Sequence, residues 1–358
     1  MSPIPRLYLV VTSHGFGHLS LCASVTEALR VRLPQVHVTV DCALDPSPFF
    51  RDITHESRSF DFGLVMRDAR TIDREASADR YRDLHGDWDG SLARVCSVMA
   101  AHTPDLVLSC SGYLAVAAAH RLGIPVLGLG PLNWLGIGRF LFDGDPSMTP
   151  VLDRMAESYA LADGWFIPTP SMPQPDLPNP IPVGVIARPG KRDRRGLMEA
   201  LGLDPARPLA LVNFGGLSSG LDARQWVRQA GDWALLAFNP VSAEREVLVD
   251  ARASGRSFSD ILASVDAVVG KAGYGMLADC ATAGIPMLMV ERSNWPEAPY
   301  LEEWFFKNAR GRRLTEAALA EGRIGSELDM LIAQAAPRPI APTGAEEVAR
   351  FIGKILQT

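Results

Sequence analysis

Ala267-Val-Val-Gly270-Lys271-Ala-Gly273-Tyr274-Gly275-Met-Leu-Ala-Asp279-Cys-Ala-Thr-Ala-Gly284-Ile-Pro286-Met-Leu-Met-Val290 is the stretch that decides the fold of this chain. It reads as a short apolar strand, a glycine-rich turn, a helix and a second apolar strand, one βαβ unit of a parallel sheet. Gly270, Gly273 and Gly275 allow a tight turn and close approach of a ligand to the backbone. The helix is expected to start near Gly275, with its unpaired N–H groups turned into the loop, an end that attracts phosphate. Lys271 adds a positive charge. Asp279 lies about one turn into the helix, within reach of sugar hydroxyls. Glu297 follows the second strand, in Glu291-Arg-Ser-Asn-Trp-Pro-Glu297-Ala-Pro-Tyr300. Together these residues read as a site for a nucleoside diphosphate, with acids for ribose or hexose hydroxyls. The competing reading is an ordinary βαβ turn whose glycines only reverse the chain.

Two further glycine turns weigh against that plainer reading. Leu7-Tyr-Leu-Val-Val-Thr12 is expected to be a buried parallel strand, followed by Ser13-His14-Gly-Phe-Gly17-His18 and a helix from Leu19 to about Leu33. Val36–Val40 is the next strand, ending at Asp41. Gly15 and Gly17 supply two glycines of a dinucleotide fingerprint, but Ser20 holds the third place. Asp41 stands where a ribose-binding acid would belong. Histidines flank the glycines, and imidazole suits proton transfer better than packing on pyrophosphate. Residues 45–75 look irregular and 78–102 helical. Asp87-Trp-Asp89 resembles a metal-binding acid pair but does not follow an apolar strand, so a solvated helix or loop is expected there. Strands are expected at Asp105–Ser109, Pro125–Leu129 and Gly164–Ile167, with a helix over Thr149–Ala162. Gly130-Pro-Leu-Asn133-Trp134 leaves the carboxyl end of a strand, where open α/β sheets bind ligands, so Asn133 and Trp134 are candidate acceptor-binding residues.

Pro168 to Pro189 includes Pro170, Pro173, Pro175, Pro178, Pro180 and Pro182. That density is expected to exclude helix and central strand and to form a stiff connection. Beyond it, Leu209–Asn213 reads as a strand before a third glycine turn, Phe214-Gly215-Gly216-Leu-Ser218-Ser219-Gly220. Helices are expected over Ala223–Ala230 and Ser257–Ser264. Ala345–Leu356 is an amphipathic helix. The expected division is 1–185, 186–341 and a C-terminal helix in 342–358 that packs back on the first domain.

At 358 residues the chain is long enough for two domains. Its 47% apolar and 21% charged residues are those of a soluble globular protein. A net charge of −6 without a long basic run argues against nucleic acid. The five cysteines are scattered, with no CxxC pair, so neither a zinc site nor a disulfide framework is expected, and a cytoplasmic location fits. No window has the length and apolarity of a transmembrane helix.

In layout, two doubly wound α/β domains with glycine turns facing a cleft, the chain resembles the GT-B glycosyltransferases. Gly17-His18 resembles the glycine–histidine turn of UDP-glycosyltransferases and of the lipid-II-forming N-acetylglucosaminyltransferase. Phe214–Gly220 resembles the glycine–serine turn that opens their donor domain, and Gly270–Val290 their donor-site turn, helix and strand. His14-Gly-Phe-Gly-His18, Lys271–Gly275 and Glu291-Arg292…Glu297-Ala-Pro299 also resemble the N-terminal, glycosyltransferase-like domain of plant L-arabinokinases. Departing from the transferases, the tract after Val290 lacks their aspartate–glutamine pair. No kinase phosphate loop is found.

The resemblance implies sugar transfer from a nucleotide sugar, a UDP-sugar by preference, to a small-molecule hydroxyl or amine. His18, or else His14, would be the general base. Gly17, Gly215, Gly216, Ser218, Ser219, Lys271, Gly273, Tyr274 and Gly275 would hold the donor, with Asp279 on ribose and Glu297 on the donor sugar. No metal and no cofactor is expected; the nucleotide sugar is a co-substrate. The alternatives are a sugar-nucleotide-binding protein without turnover, and an epimerase or hydrolase on the same fold.

Overall fold

The computed structural model describes residues 4–58, 60, 62–215, 223–238, 248–292, 294–315, 317–318, 321 and 323–357. Two compact units emerge. The first comprises Met1–Val65, Ile72–Ile186 and Thr343–Thr358; the second comprises Met66–Thr71 and Ala187–Pro342.

The first unit is built on a parallel sheet. Its strands are β1 (Arg6–Val11), β2 (His37–Asp41), β3 (Thr54–Glu56), β4 (Leu106–Cys110), β5 (Val126–Leu129), β6 (Gly164–Pro168) and β7 (Pro180–Val183), in the order β3-β2-β1-β4-β5-β6-β7. The central strands are unbroken apolar runs because helices cover both faces of such a sheet. In β1, Leu7 to Val11 are all buried.

Three local expectations are corrected. The first helix runs Phe16–Arg32 rather than from Leu19, because Gly15 at φ 133° turns the chain into it early. Its first residue, Phe16, is exposed and stacks on Phe49. Residues 45–75 hold a strand, β3, whose three residues are too few to show a pattern. The proline tract also contains a strand, β7. Asn179 and Val183 accept bonds from Trp165 and Thr169 of the β6 side. Pro180 and Pro182 alternate with those residues and present their missing N–H groups to the open edge, the one place a sheet tolerates them.

The second unit repeats the plan with β8 (Leu209–Asn213), β9 (Ala234–Ala237), β10 (Val249–Asp250), β11 (Ala267–Lys271), β12 (Met287–Val290) and β13 (Gly311–Leu314), ordered β10-β9-β8-β11-β12-β13 and parallel throughout. Gly270 is glycine for a packing reason: an added Cβ would overlap the Asn213 carbonyl oxygen of β8. Ala69, from the short N-terminal segment assigned to this unit, is buried with Val212, Phe214, Val269, Val290 and Leu314.

The C-terminal helix, Gly344–Ile355, belongs to the first unit and packs along the helix Phe16–Arg32. Among the described residues no helix is long and apolar enough to cross a membrane.

Candidate functional site

In the second unit the N-cap of the helix Tyr274–Ala283 is Gly273, a residue with no side chain to cap it. The first bond of the helix runs from the Leu277 N–H to the Gly273 carbonyl. The preceding amides therefore have no partner within the helix, and the helix dipole gathers positive charge there. Lys271 ends β11 just before this turn. An added Cβ on Gly215 would lie 3.9 Å from Lys271 Cε, so the β8 and β11 turns meet at this lysine. Gly216, Ser218 and Ser219 lie outside the described residues.

Lys271 is partly exposed by area, yet its amine sits in a poorly solvated place. Burial, and then the neighbouring Arg292 charge, push its pKa down to about 7; Glu297 and Asp68 pull the other way. No carboxylate among the described residues forms an ion pair with it.

β12 lies beside β11, with Val290 opposite Lys271. Two residues on, Arg292 is 7% exposed, with its guanidinium 3.8 Å over the Trp295 ring. Burial lowers its pKa to about 10. Trp295 Nε1 donates to Glu297 Oε2 at 2.9 Å, and Glu297 is 3% exposed with its pKa raised by burial. Arg292 and Trp295 had no assigned role in the sequence reading. The signal was present: an arginine just past the carboxyl end of a parallel strand, with an aromatic three residues on.

Asp279 is buried, and its Oδ1 accepts the Arg188 backbone N–H at 2.9 Å. Burial raises its pKa to about 7. Tyr274, the first residue of the helix, is also buried.

The first unit brings His14, His18 and Trp134 together. The Trp134 ring centroid lies 4.9 Å from that of His14 and 6.1 Å from that of His18. Thr12 Oγ1 is 2.7 Å from His18 Nδ1 and 3.3 Å from the Cys110 carbonyl. The hydroxyl proton goes to that carbonyl, so Oγ1 accepts from Nδ1–H, and Nε2 is left with a lone pair. Close packing with loss of solvent pushes the His18 pKa down to about 4, opposed in part by its hydrogen bond to Thr12. The ring is thus neutral at pH 7. His14 is arranged differently: its Nδ1 accepts the Leu64 N–H at 3.2 Å.

Gly17 is exposed in the first turn of its helix. Asn133 is buried and caps the helix Trp134–Leu141, its Oδ1 accepting from Gly136 N and its Nδ2 donating to Gln174. Asp41 is buried and accepts the Tyr8 hydroxyl at 2.6 Å, which turns it away from a dinucleotide role. Asp87 is engaged with Arg94. A pocket of about 380 Å³ lined by Arg58, Phe60, Leu84, Arg94 and Leu114 includes none of the predicted site residues.

No family model matches the chain. L-arabinokinase of Arabidopsis thaliana is 25% identical over 301 residues, 81% of this chain but 28% of that protein. Solved structures extend the likeness over the whole chain. The glycotransferase of kitacinnamycin matches with a TM-score of 0.67 at 18% identity, over 99% of this chain and 100% of its own. UGT71G1 of Medicago truncatula, complexed with UDP-glucose, matches with a TM-score of 0.62 at 13% identity, over 99% and 98%. The glycosyltransferase VinC, in complex with DTDP, matches with a TM-score of 0.56 at 17%, over 99% and 95%. Those identities carry fold alone, and the fold of this chain is that of the GT-B glycosyltransferases.

Proposed function

We propose that this protein is a cytoplasmic glycosyltransferase that moves a hexosyl or N-acetylhexosaminyl group from a UDP-sugar to a small-molecule hydroxyl or amine. The observation that carries this reading is Lys271: a desolvated amine that no carboxylate among the described residues pairs with, at the start of a helix whose N-cap is a glycine, on a GT-B fold. A diphosphate there would restore the amine's charge and meet the positive end of the helix dipole. As the glycosidic bond breaks, negative charge grows on the leaving diphosphate, and those donors stabilise it in place of a metal. Asp279 and Glu297 are the proposed contacts to ribose and donor sugar. His18 Nε2 would take the acceptor proton, with the Trp134 ring as part of the acceptor's surroundings.

One observation favours a second reading, a sugar-nucleotide binder without turnover. Nδ1 of His18 meets a hydroxyl rather than a carboxylate, so an imidazolium formed there gains no counter-charge. A thermal-shift panel followed by an acceptor screen separates the two. A UDP-sugar at 100 times its dissociation constant should add about 2.7 kcal/mol to stability. His18→Ala should keep that shift and lose roughly 10²–10⁴-fold in UDP release with acceptor. Binding without release over a broad acceptor panel selects the binder; no shift with any nucleotide or nucleotide sugar removes both readings.

A further inference from the structure

Among the described residues, Arg292 Nε and Nη2 are buried without a hydrogen-bond partner, and so is Glu297 Oε1. Two opposite charges thus share one desolvated corner of the second unit without bonding each other. Unpaired buried charge is among the costliest features a fold can keep, and a nearby opposite charge would ordinarily close on it. Here Trp295 holds them apart. Its ring fixes the guanidinium plane from 3.8 Å, and its Nε1–H fixes Glu297 Oε2.

Which donors are left over matters. Nε and Nη2 form one complete side of the guanidinium fork, the side that grips two oxygens of a single anion. A guanidinium short of partners by chance would not leave that matched pair, with its plane clamped. The site also adjoins Lys271 and the start of the helix Tyr274–Ala283, so the field around it favours anions. Glu297 Oε1 adds an oxygen for a hydroxyl of the same ligand.

We infer that Arg292, held by Trp295, is a bidentate anchor for an oxyanion of the bound ligand, with Glu297 Oε1 bonding an adjacent hydroxyl. This rests on the donor site proposed above. Two parts of a nucleotide sugar carry such an anion: a phosphate of the diphosphate, or the carboxylate of a uronic-acid sugar.

Calorimetric titration of wild type and Arg292→Lys with pyrophosphate, UDP, UDP-glucose and UDP-glucuronate tests the inference. Lysine keeps the charge but has no two-donor edge. The expected result is a loss of about tenfold or more in affinity. If the edge holds a phosphate, all four ligands weaken together. If it holds a carboxylate, only UDP-glucuronate weakens. Equal affinities of variant and wild type for all four overturn the inference. Wild type that binds pyrophosphate through Arg292 but binds no nucleotide keeps the anion site and removes the donor reading. Wild type that binds none of the four overturns the anion site itself. Should Arg292→Lys fail to fold, the wild-type Arg292 Nε–H resonance decides: it must shift on saturation with a bound ligand, and an unmoved resonance overturns the inference.

Discussion

Lys271 is a cation kept where water solvates it poorly, with a pKa of about 7 against the usual 10.5. Between those values the unfolded chain holds the proton and the folded one does not. Stability contributed by this group therefore rises with pH across that window. An anion beside the amine reverses the balance: the bound state keeps the proton that the free protein has released. The phosphates of a nucleotide sugar do not titrate near neutrality, and Asp279, whose pKa is also about 7, is ionised from about pH 8 upward, so above that pH the slope is the lysine's. Affinity for UDP-glucose should fall as pH rises from 7 to about 9, by up to roughly tenfold per unit. Calorimetry at pH 8 should show proton uptake through a dependence on the buffer's ionisation heat. Lys271→Ala should bind weakly and flatly. Intact binding with no slope over that range would remove the lysine from the site. His18 does not confuse the measurement, since it is already neutral above a pKa of about 4. The sequence pointed to both side chains by position. It held no clue to the hydroxyl at His18 Nδ1, because Thr12, just past the end of β1, meets the imidazole only once the turn is folded.

The helix Tyr274–Ala283 combines an exposed task at one end with a buried acid within it. Asp279 accepts the Arg188 N–H, and burial raises its pKa to about 7. Here the folded state holds the proton more tightly than the unfolded one. Stability therefore falls as pH rises from the unfolded value near 4 through 7. Asp279→Asn keeps an oxygen for the Arg188 amide and removes the ionisation. It should melt like wild type at pH 5 and higher than wild type at pH 8, by an amount on the order of 1 kcal/mol or more. If the carboxylate meets ribose as proposed, UDP binding should weaken in the same variant. A lower melting point at pH 8 would mean that the charge is satisfied in the fold. Elements of this kind were legible because both flanking strands are unbroken apolar runs with a glycine turn between them. The edge strands β3 and β7 were not. One is three residues long, and the other has prolines at alternate positions, which read as a break until the alternation is seen to match an open sheet edge.

Across the whole molecule, the two-domain plan was legible from two strand–glycine–helix units divided by a proline tract. The chain's excursions were less so. Met66–Thr71 joins the second unit through contacts such as Ala69, six residues without periodicity of their own. The return to the first unit near Thr343 is marked by an amphipathic helix, but its seat depends on two glycines far apart in sequence. A Cβ on Gly344 would overlap the Gly184 carbonyl oxygen. Gly344 N donates to Val185 O at 3.0 Å, and Gly184 N to Glu347 Oε2 at 2.9 Å. Backbone meets backbone there, so no rotamer change relieves a collision. From this seat Val348, Ala349 and Ile352 are carried fully buried against the first unit. Gly344→Ala gains helix propensity worth up to about 1 kcal/mol, but overpacking of this kind costs typically 1–3 kcal/mol and the steric term should win. Hydrogen exchange should show lost protection in Gly344–Ile355 and Phe16–Arg32, while Tyr274–Ala283 in the other unit keeps its own. A variant as stable as wild type in denaturant would mean that the Gly184–Gly344 approach relaxes at little cost. A loss of protection spread equally over both units would mean that they unfold as one cooperative body rather than two.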